Sequence, residues 1–186
     1  SNLAFFRELR KAGVTADKAT TLSFSLTERE IGHMNARELA GDYVAWNYLQ
    51  SQVNPENLAF VKRFKARFGA DAVVDDPMES GYFGVHLWAV AVRSVRSFSP
   101  DLVRGALPNQ SYNAPEGIVY IDSENNHVWR TARIAKIDID GSFDPVWDSG
   151  RALRPVPYPI YRTKADWESF LNDLFIGWKR QWMNRG

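Results

Sequence analysis

Apolar residues in the first fifty positions follow helical spacing and then strand spacing, twice in succession. Residues 3–12 have the pattern of a helix that Gly13 would end, and residues 20–24, rich in threonine and apolar residues, predict a short strand. Asn35-Ala36-Arg37-Glu38 has the spacing of a capping box for one short helical turn, and residues 42–49 predict a second strand. The segment therefore reads as two helix–strand steps.

Two longer helices are predicted next. The first spans residues 54–69, because an Asn-Pro pair starts it and apolar residues then recur at helical spacing. The second spans residues 78–95 and is apolar around most of its circumference, so we expect it to be buried. On this basis Trp88 should be largely inaccessible, whereas Arg93 and Arg96 should reach solvent.

The last third of the chain changes to alternating strand patterns. Three segments predict an antiparallel meander with turns at 125–126 and 140–141, namely residues 117–122, 127–139 and 143–147. The Pro-rich run 155–159 is expected to be an extended connection, since proline cannot sit in a helix interior or a central strand. Thr163 then caps a closing helix predicted to reach about residue 182.

Composition indicates the class of protein but does not point to a binding partner. The chain has 186 residues, 45% of them hydrophobic, with 23 basic and 22 acidic side chains and no cysteine. These values indicate a folded globular chain, and the net charge of +1 gives no reason to expect nucleic acid as a partner. The absence of cysteine excludes disulfides, thiolate metal sites and a cysteine nucleophile. No apolar run approaches the length of a membrane span, and the chain starts without Met, as a cut end would.

The sequence offers few candidates for catalytic or metal-binding residues. The three histidines, at positions 33, 86 and 127, lack the spacing of a metal site. Glu79 precedes His86 by two helical turns and could pair with it as acid and base, but a lone histidine in an apolar helix is more often a core residue. No nucleophile accompanies this pair.

Hydroxyl groups cluster after the first predicted strand. Ser25 and Thr27 follow its carboxyl end, which is the edge where open α/β sheets bind ligands. The alternative is that one of them caps the next helical turn. Tyr43, Trp46 and Tyr48 on the second strand could line a pocket, although aromatic residues are also good strand formers.

The order of several motifs resembles a known family. The motifs are Asn54-Pro55-Glu56-Asn57, Asp76-Pro77-Met78-Glu79-Ser80-Gly81-Tyr82, Asn113-Ala114-Pro115-Glu116-Gly117, Asn125-Asn126-His127 and Arg154-Pro155-Val156-Pro157-Tyr158. Together they look like the C-terminal half of the urea and short-chain amide substrate-binding proteins of ABC importers, which are related to the amide-sensing regulator of amidase operons. The resemblance covers essentially the whole chain.

The resemblance implies the α/β type I periplasmic binding protein fold, a Venus-flytrap of two Rossmann-like lobes that closes on a ligand by hinge motion. Only its C-terminal half is expected here. Residues 1–50 would end the second ligand-binding lobe, residues 51–112 would return helices to the first lobe, and residues 113–186 would supply a C-terminal antiparallel β-meander, the Pro-rich connection and the closing helix.

Ligand-binding residues are also implied by this match. Ser25 and Thr27 match the loop at the cleft edge of the second lobe, and Tyr48 matches the strand that leads into a hinge. Glu79 and Tyr82 match the start of the long helix near the cleft. Catalytic residues, metals and cofactors are not expected.

The function implied is a periplasmic receptor that binds urea or a short aliphatic amide and delivers it to the membrane permease of an ABC importer. The alternatives are an amide-responsive sensor domain of the same fold, a binder of branched-chain amino acids and, least favoured, an amidase built on Glu79 and His86. A homodimer is a further expectation. If half of the fold is missing, an apolar face with Val61, Phe64, Val85 and Trp88 should be exposed or covered by another chain.

Overall fold

The structure is a computed structural model that describes residues 2–183. Two compact units divide the chain between Arg154 and Pro155. The first unit holds six of the helices, which are α1 (Asn2–Lys11), α2 (Glu28–Ile31), α3 (Ala36–Leu39), α4 (Pro55–Phe68), α5 (Asp76–Val95) and α6 (Pro100–Ala106). The second unit holds α7 (Lys164–Gly177), which follows the Pro-rich connection and ends several residues before the predicted position 182.

Local capping signals set most of the helix starts. Asn54 accepts a hydrogen bond from the Asn57 amide at 2.8 Å, and Pro55 occupies the first turn of α4. Thr27 and Thr163 each form a full capping box, at the start of α2 and of α7. These helices therefore begin where the sequence predicts, because the signals involve only neighbouring residues.

Six strands form one mixed sheet in the first unit. The strands are β1 (Leu22–Ser23), β2 (Tyr43–Trp46), β3 (Ser111–Ala114), β4 (Gly117–Ile121), β5 (Val128–Ile137) and β6 (Phe143–Leu153). The order is β1-β2-β5-β4-β3, with β6 also paired to β5. Only β1 and β2 run parallel, and the other pairs are antiparallel.

The predicted meander is confirmed, with one strand added. β4, β5 and β6 pair antiparallel, and the two turns use left-handed backbone at Asn126 (φ 61°) and Gly141 (φ 87°). The added strand, β3, pairs with β4 across the Asn-Ala-Pro-Glu-Gly turn. Its short, polar sequence lacks the alternation that identifies a strand.

The core consists of three apolar clusters. One packs α1, α2 and α3 against the sheet around Leu26, Val44 and Ile137. A second joins α5 to β3 and β4, and a third surrounds Tyr48, where the chain leaves β2 for α4.

The prediction that the second long helix is buried all round is wrong. α5 buries one stripe, Phe83, Leu87 and Ala91, whereas Val85 is 65% exposed and Trp88 is 45% exposed. The physical reason is that β3 and β4 contact only one side of the helix. Of the four apolar residues that the half-fold expectation names, Val85 and Trp88 are thus exposed, whereas Val61 and Phe64 are half-buried.

Candidate functional site

Ser25 and Thr27 lie where the sequence places them, in the loop between β1 and α2. Ser25 is exposed, and its hydroxyl donates to the Asn2 side chain at 3.1 Å. Thr27 is almost fully buried, and its hydroxyl accepts the Glu30 amide as the N-cap of α2. The capping interpretation is therefore confirmed for Thr27, and ligand contact by Ser25 or Thr27 stays a prediction.

Tyr48 lies inside the crossing between β2 and α4. Its side chain is fully buried, and its hydroxyl donates to Asn57 Oδ1 at 2.7 Å. Its backbone amide and that of Asn47 donate to Asp76 Oδ2, at 2.8 and 3.0 Å. The predicted ligand contact by Tyr48 thus finds no open surface, and the residue instead ties the crossing to the start of α5.

Glu79 belongs to a buried ionic cluster, which comprises Asp76, Glu79, Glu116 and Arg130. Arg130 donates to Asp76 at 3.0 Å, to Glu79 at 3.3 Å and to Glu116 through Nε at 2.7 Å. The Glu116 amide donates to Glu79 Oε1 at 3.3 Å. The cluster therefore connects α5, the turn between β3 and β4, and β5.

Three carboxyl groups share one guanidinium in this cluster, so the charges do not balance if all are ionised. Burial, reinforced by the charge of Glu116, raises the pKa of Glu79 to about 8. Burial likewise raises the pKa of Glu116, whose Oε1 is buried without a hydrogen-bond partner within the described residues. The raised pKa favours the protonated form of Glu79, and its full burial among these partners makes it a structural group rather than an open ligand contact.

Tyr82 lies about one turn after Glu79 on α5, outside the ionic cluster. Its hydroxyl accepts from Arg63 at 3.2 Å, and its ring contacts His86 with centroids 4.6 Å apart. His86 stacks in turn on Tyr112. The structure thus does not bring Glu79 and His86 together as an acid–base pair, and the five predicted residues do not share one pocket.

A pocket of about 680 Å³ opens where α2, the end of α4 and the start of α5 meet. Its lining includes Glu28, His33, Phe64, Phe68 and Met78. These residues come from both of the first two segments that the sequence separates at position 50. The assignment of these two segments to different lobes stays a prediction.

Glu28 is the most unusual group in this pocket. Its Oε1 accepts the Gln50 amide at 2.8 Å, and it forms no ion pair with a cation of residues 2–183. Burial raises its pKa to about 8, and the charges of Asp75 and Asp76 add to the effect. A carboxyl group that is neutral near pH 7 can donate one hydrogen bond and accept others.

The position of Glu28 at the start of α2 can be inferred from the sequence, but its burial cannot. Glu28 directly follows Thr27 in the hydroxyl-rich segment after β1, so the capping of α2 by Thr27 fixes its position at the helix start. What the sequence lacks is the contact with Gln50, twenty-two positions away, which buries the carboxyl group.

Other site classes find no support in the described part of the chain. Residues 2–183 contain no group of three His, Asp or Glu side chains arranged to hold a metal ion. In the same range, no helix combines the length and the apolar character that crossing a bilayer requires.

Comparisons with solved structures identify the fold. A solute-binding protein of an ABC transporter from R. palustris, solved with benzoate, superposes with a TM-score of 0.68 at 18% identity over 82% of this chain. A leucine-binding protein from Thermotoga maritima superposes with a TM-score of 0.63 at 18% identity over 77% of this chain. The chain spans 41% and 40% of these two proteins. The fold is thus that of a type I periplasmic binding protein, α/β with a mixed sheet.

Sequence comparisons give two further matches. A protein named limonene hydroxylase from Geobacillus stearothermophilus is 35% identical over 124 residues, which are 67% of this chain and 23% of that protein. The family described as periplasmic binding protein domain matches residues 1–164. Because this match extends over most of the chain, the protein belongs to the periplasmic binding protein domain family.

Proposed function

We propose that the chain is part of a periplasmic solute-binding receptor that delivers a small molecule to the permease of an ABC importer. Ligand binds at the Glu28 pocket, and hinge closure around it, rather than covalent chemistry, is the functional event. The observation that carries the proposal is a partly buried carboxyl group that forms no ion pair within residues 2–183 and lines a pocket in a binding-protein fold.

The ligand that suits Glu28 best is urea or a short aliphatic amide. A neutral carboxyl group donates its O–H to the amide carbonyl and accepts one amide N–H, so the two planar groups pair through two hydrogen bonds. The raised pKa of Glu28 supports this pairing near neutral pH. A ligand without these groups leaves a buried carboxyl unpaired, which weakens its binding strongly.

Apolar walls favour a second ligand class, the branched-chain amino acids. Phe64, Phe68 and Met78 line the pocket beside Glu28, and its volume of about 680 Å³ accepts a leucine side chain as readily as an amide. In this case Glu28 is ionised and pairs with the ligand ammonium group. The two ligand classes therefore require opposite protonation states of one residue.

Two substitutions of Glu28 separate the alternatives. The panel is urea, formamide, acetamide, leucine and valine, tested by thermal shift on the purified chain. The ligand of the pocket should stabilise the protein by about 2.7 kcal/mol at 100 times its dissociation constant. Glu28→Met should abolish this shift, whereas the exposed control Glu8→Met on α1 should retain it.

Glu28→Gln then identifies the ligand class. A glutamine keeps one donor and one acceptor, so amide binding should survive within a few-fold, but the loss of charge should weaken binding of an amino acid more than tenfold. Stabilisation by leucine alone would overturn the amide assignment. Ligand binding that is unchanged in Glu28→Met would overturn the site.

A further inference from the structure

A second, smaller pocket lies on the other side of α4 from the Glu28 pocket and shares no lining residue with it. It measures about 290 Å³ and is formed by one side of α4, Tyr82 of α5 and the strand β3. Such a volume is at the lower end for small-molecule sites. The lining residues that carry the argument are Glu56, Arg63, Tyr82, Tyr112 and Asn113.

Aromatic rings give this pocket a fixed wall. His86 lies between Tyr82 and Tyr112, with ring centroids 4.6 Å from each, and it is parallel to Tyr112 within 5°. Tyr82 also packs on Phe60 at 4.5 Å. Because each ring is held by another, the two tyrosine hydroxyls are fixed relative to one another.

Hydrogen-bond donors outnumber acceptors at one end of the pocket. Arg63 donates to the Tyr82 hydroxyl at 3.2 Å and forms no ion pair with a carboxylate of the described residues. Burial and the interaction with Tyr82 raise the pKa of Tyr112 to about 12, so its hydroxyl keeps its proton. A guanidinium and two phenol hydroxyls thus meet at one end of the pocket, where Arg63 and Tyr112 both interact with the Tyr82 hydroxyl and no carboxylate of the described residues pairs with Arg63.

The opposite end of the pocket carries a negative charge. Glu56 precedes Arg63 by seven positions on α4, about 10 Å along the helix axis, and accepts from Asn113 at 2.7 Å. A ligand with carboxylates at both ends would meet repulsion from Glu56. A ligand with a single carboxylate and an uncharged or cationic remainder meets none.

We propose that this pocket is a second binding site, which takes a small monocarboxylate. The carboxylate receives hydrogen bonds from Arg63 and from the hydroxyls of Tyr82 and Tyr112, and its hydrocarbon part packs on the tyrosine rings. Arginine suits this role because its guanidinium donates two parallel hydrogen bonds to a carboxylate. The site is separate from the Glu28 pocket, with which it shares no lining residue.

Calorimetric titration of the purified chain with sodium benzoate tests the proposal, with benzamide as the uncharged ligand of the same shape. Benzoate should bind in a saturable manner, and benzamide at least tenfold more weakly. Arg63→Gln should weaken benzoate binding at least tenfold, whereas Lys62→Gln, an exposed cation next to it on α4, should change affinity less than twofold. Both positions are exposed, so both variants should fold.

Tyr112→Phe removes one hydroxyl but keeps the ring on His86, and we expect it to weaken benzoate binding several-fold. Glu28→Met distinguishes this site from the Glu28 pocket, because it should leave benzoate affinity unchanged while abolishing the amide response. No saturable benzoate binding, equal affinity in Arg63→Gln, or loss of binding in Glu28→Met would each overturn the second site. None of these outcomes affects the amide assay.

Discussion

Replacing Glu79 with glutamine should stabilise the protein at neutral and alkaline pH and flatten the dependence of its stability on pH. Glutamine has nearly the shape of the protonated acid but cannot ionise between Arg130, Asp76 and Glu116. The folded protein then no longer has to hold a proton that the unfolded chain releases. The variant therefore isolates the cost of keeping this carboxyl group neutral.

The sign follows from the raised pKa of Glu79. Between its ordinary value of 4.5 and its folded value of about 8, the folded protein binds one proton more than the unfolded chain. The free energy of unfolding therefore falls as pH rises through this window, by about 1.4 kcal/mol per pH unit for one proton. Glu28 titrates in the same window, so the wild-type slope from both groups is about 2.7 kcal/mol per unit.

The assay is guanidinium chloride unfolding, followed by tryptophan fluorescence at pH 5, 6 and 7. Glu79→Gln should flatten the slope by about 1.4 kcal/mol per pH unit, so that its stability relative to wild type rises by about 3 kcal/mol from pH 5 to pH 7. For the exposed control Glu8→Gln, the free energy of unfolding should depend on pH as it does in the wild type. The reasoning would be refuted if the free energy of unfolding of Glu79→Gln had the same pH dependence as that of the wild type, with an unchanged dependence on denaturant.

Four further substitutions test separate parts of the structure by the same unfolding assay. Thr27→Ala removes the cap of α2 and should cost about 1 kcal/mol, and an unchanged midpoint would contradict the capping role. Gly84→Ala places a methyl group in open space on α5 and should stabilise by about 0.5–1 kcal/mol. Gly141→Ala should instead destabilise, because the turn has φ +87° and the new Cβ would lie 2.8 Å from Ile31; equal effects at the two glycines would contradict this contrast. Arg130→Met leaves the buried carboxyl groups without their cation and should cost about 3–5 kcal/mol, so a loss below 1 kcal/mol would show that the cluster is not coupled.

Sequence information sufficed wherever structure depends on near neighbours. The caps at Asn54 and Thr163 and the turn at Gly141 involve residues within a few positions, and each was predicted correctly. Contacts between distant segments were not predictable in this way. Glu79 has the spacing of an accessible residue at a helix start, but its burial depends on Arg130, fifty-one positions later.

The same distinction between near-neighbour and long-range contacts applies to the candidate site. Thr27 directly precedes the proposed pocket residue Glu28 and Ser25 lies three positions before it, so the predicted loop leads into the proposed pocket, and ligand contact by Ser25 or Thr27 stays a prediction. Tyr48 was expected at a hinge strand, and it does lie at the crossing from β2 to α4, but its hydroxyl is bound by Asn57. Whether a side chain faces a pocket thus depends on packing between segments, and the sequence of one segment does not determine it.

The long strand β5 has a consequence for how the chain folds during synthesis. Val44 of β2 pairs with Ala135 of β5, ninety-one positions later, and β1 is joined to the sheet only through β2. A ribosome making about 5–20 residues per second needs several seconds to produce the partner strand after β2 has emerged. Until then β1 and β2 form a small parallel pair with an unpaired edge, which is the kind of surface that chaperones cover. The first strands of the chain are therefore among the last to be completed.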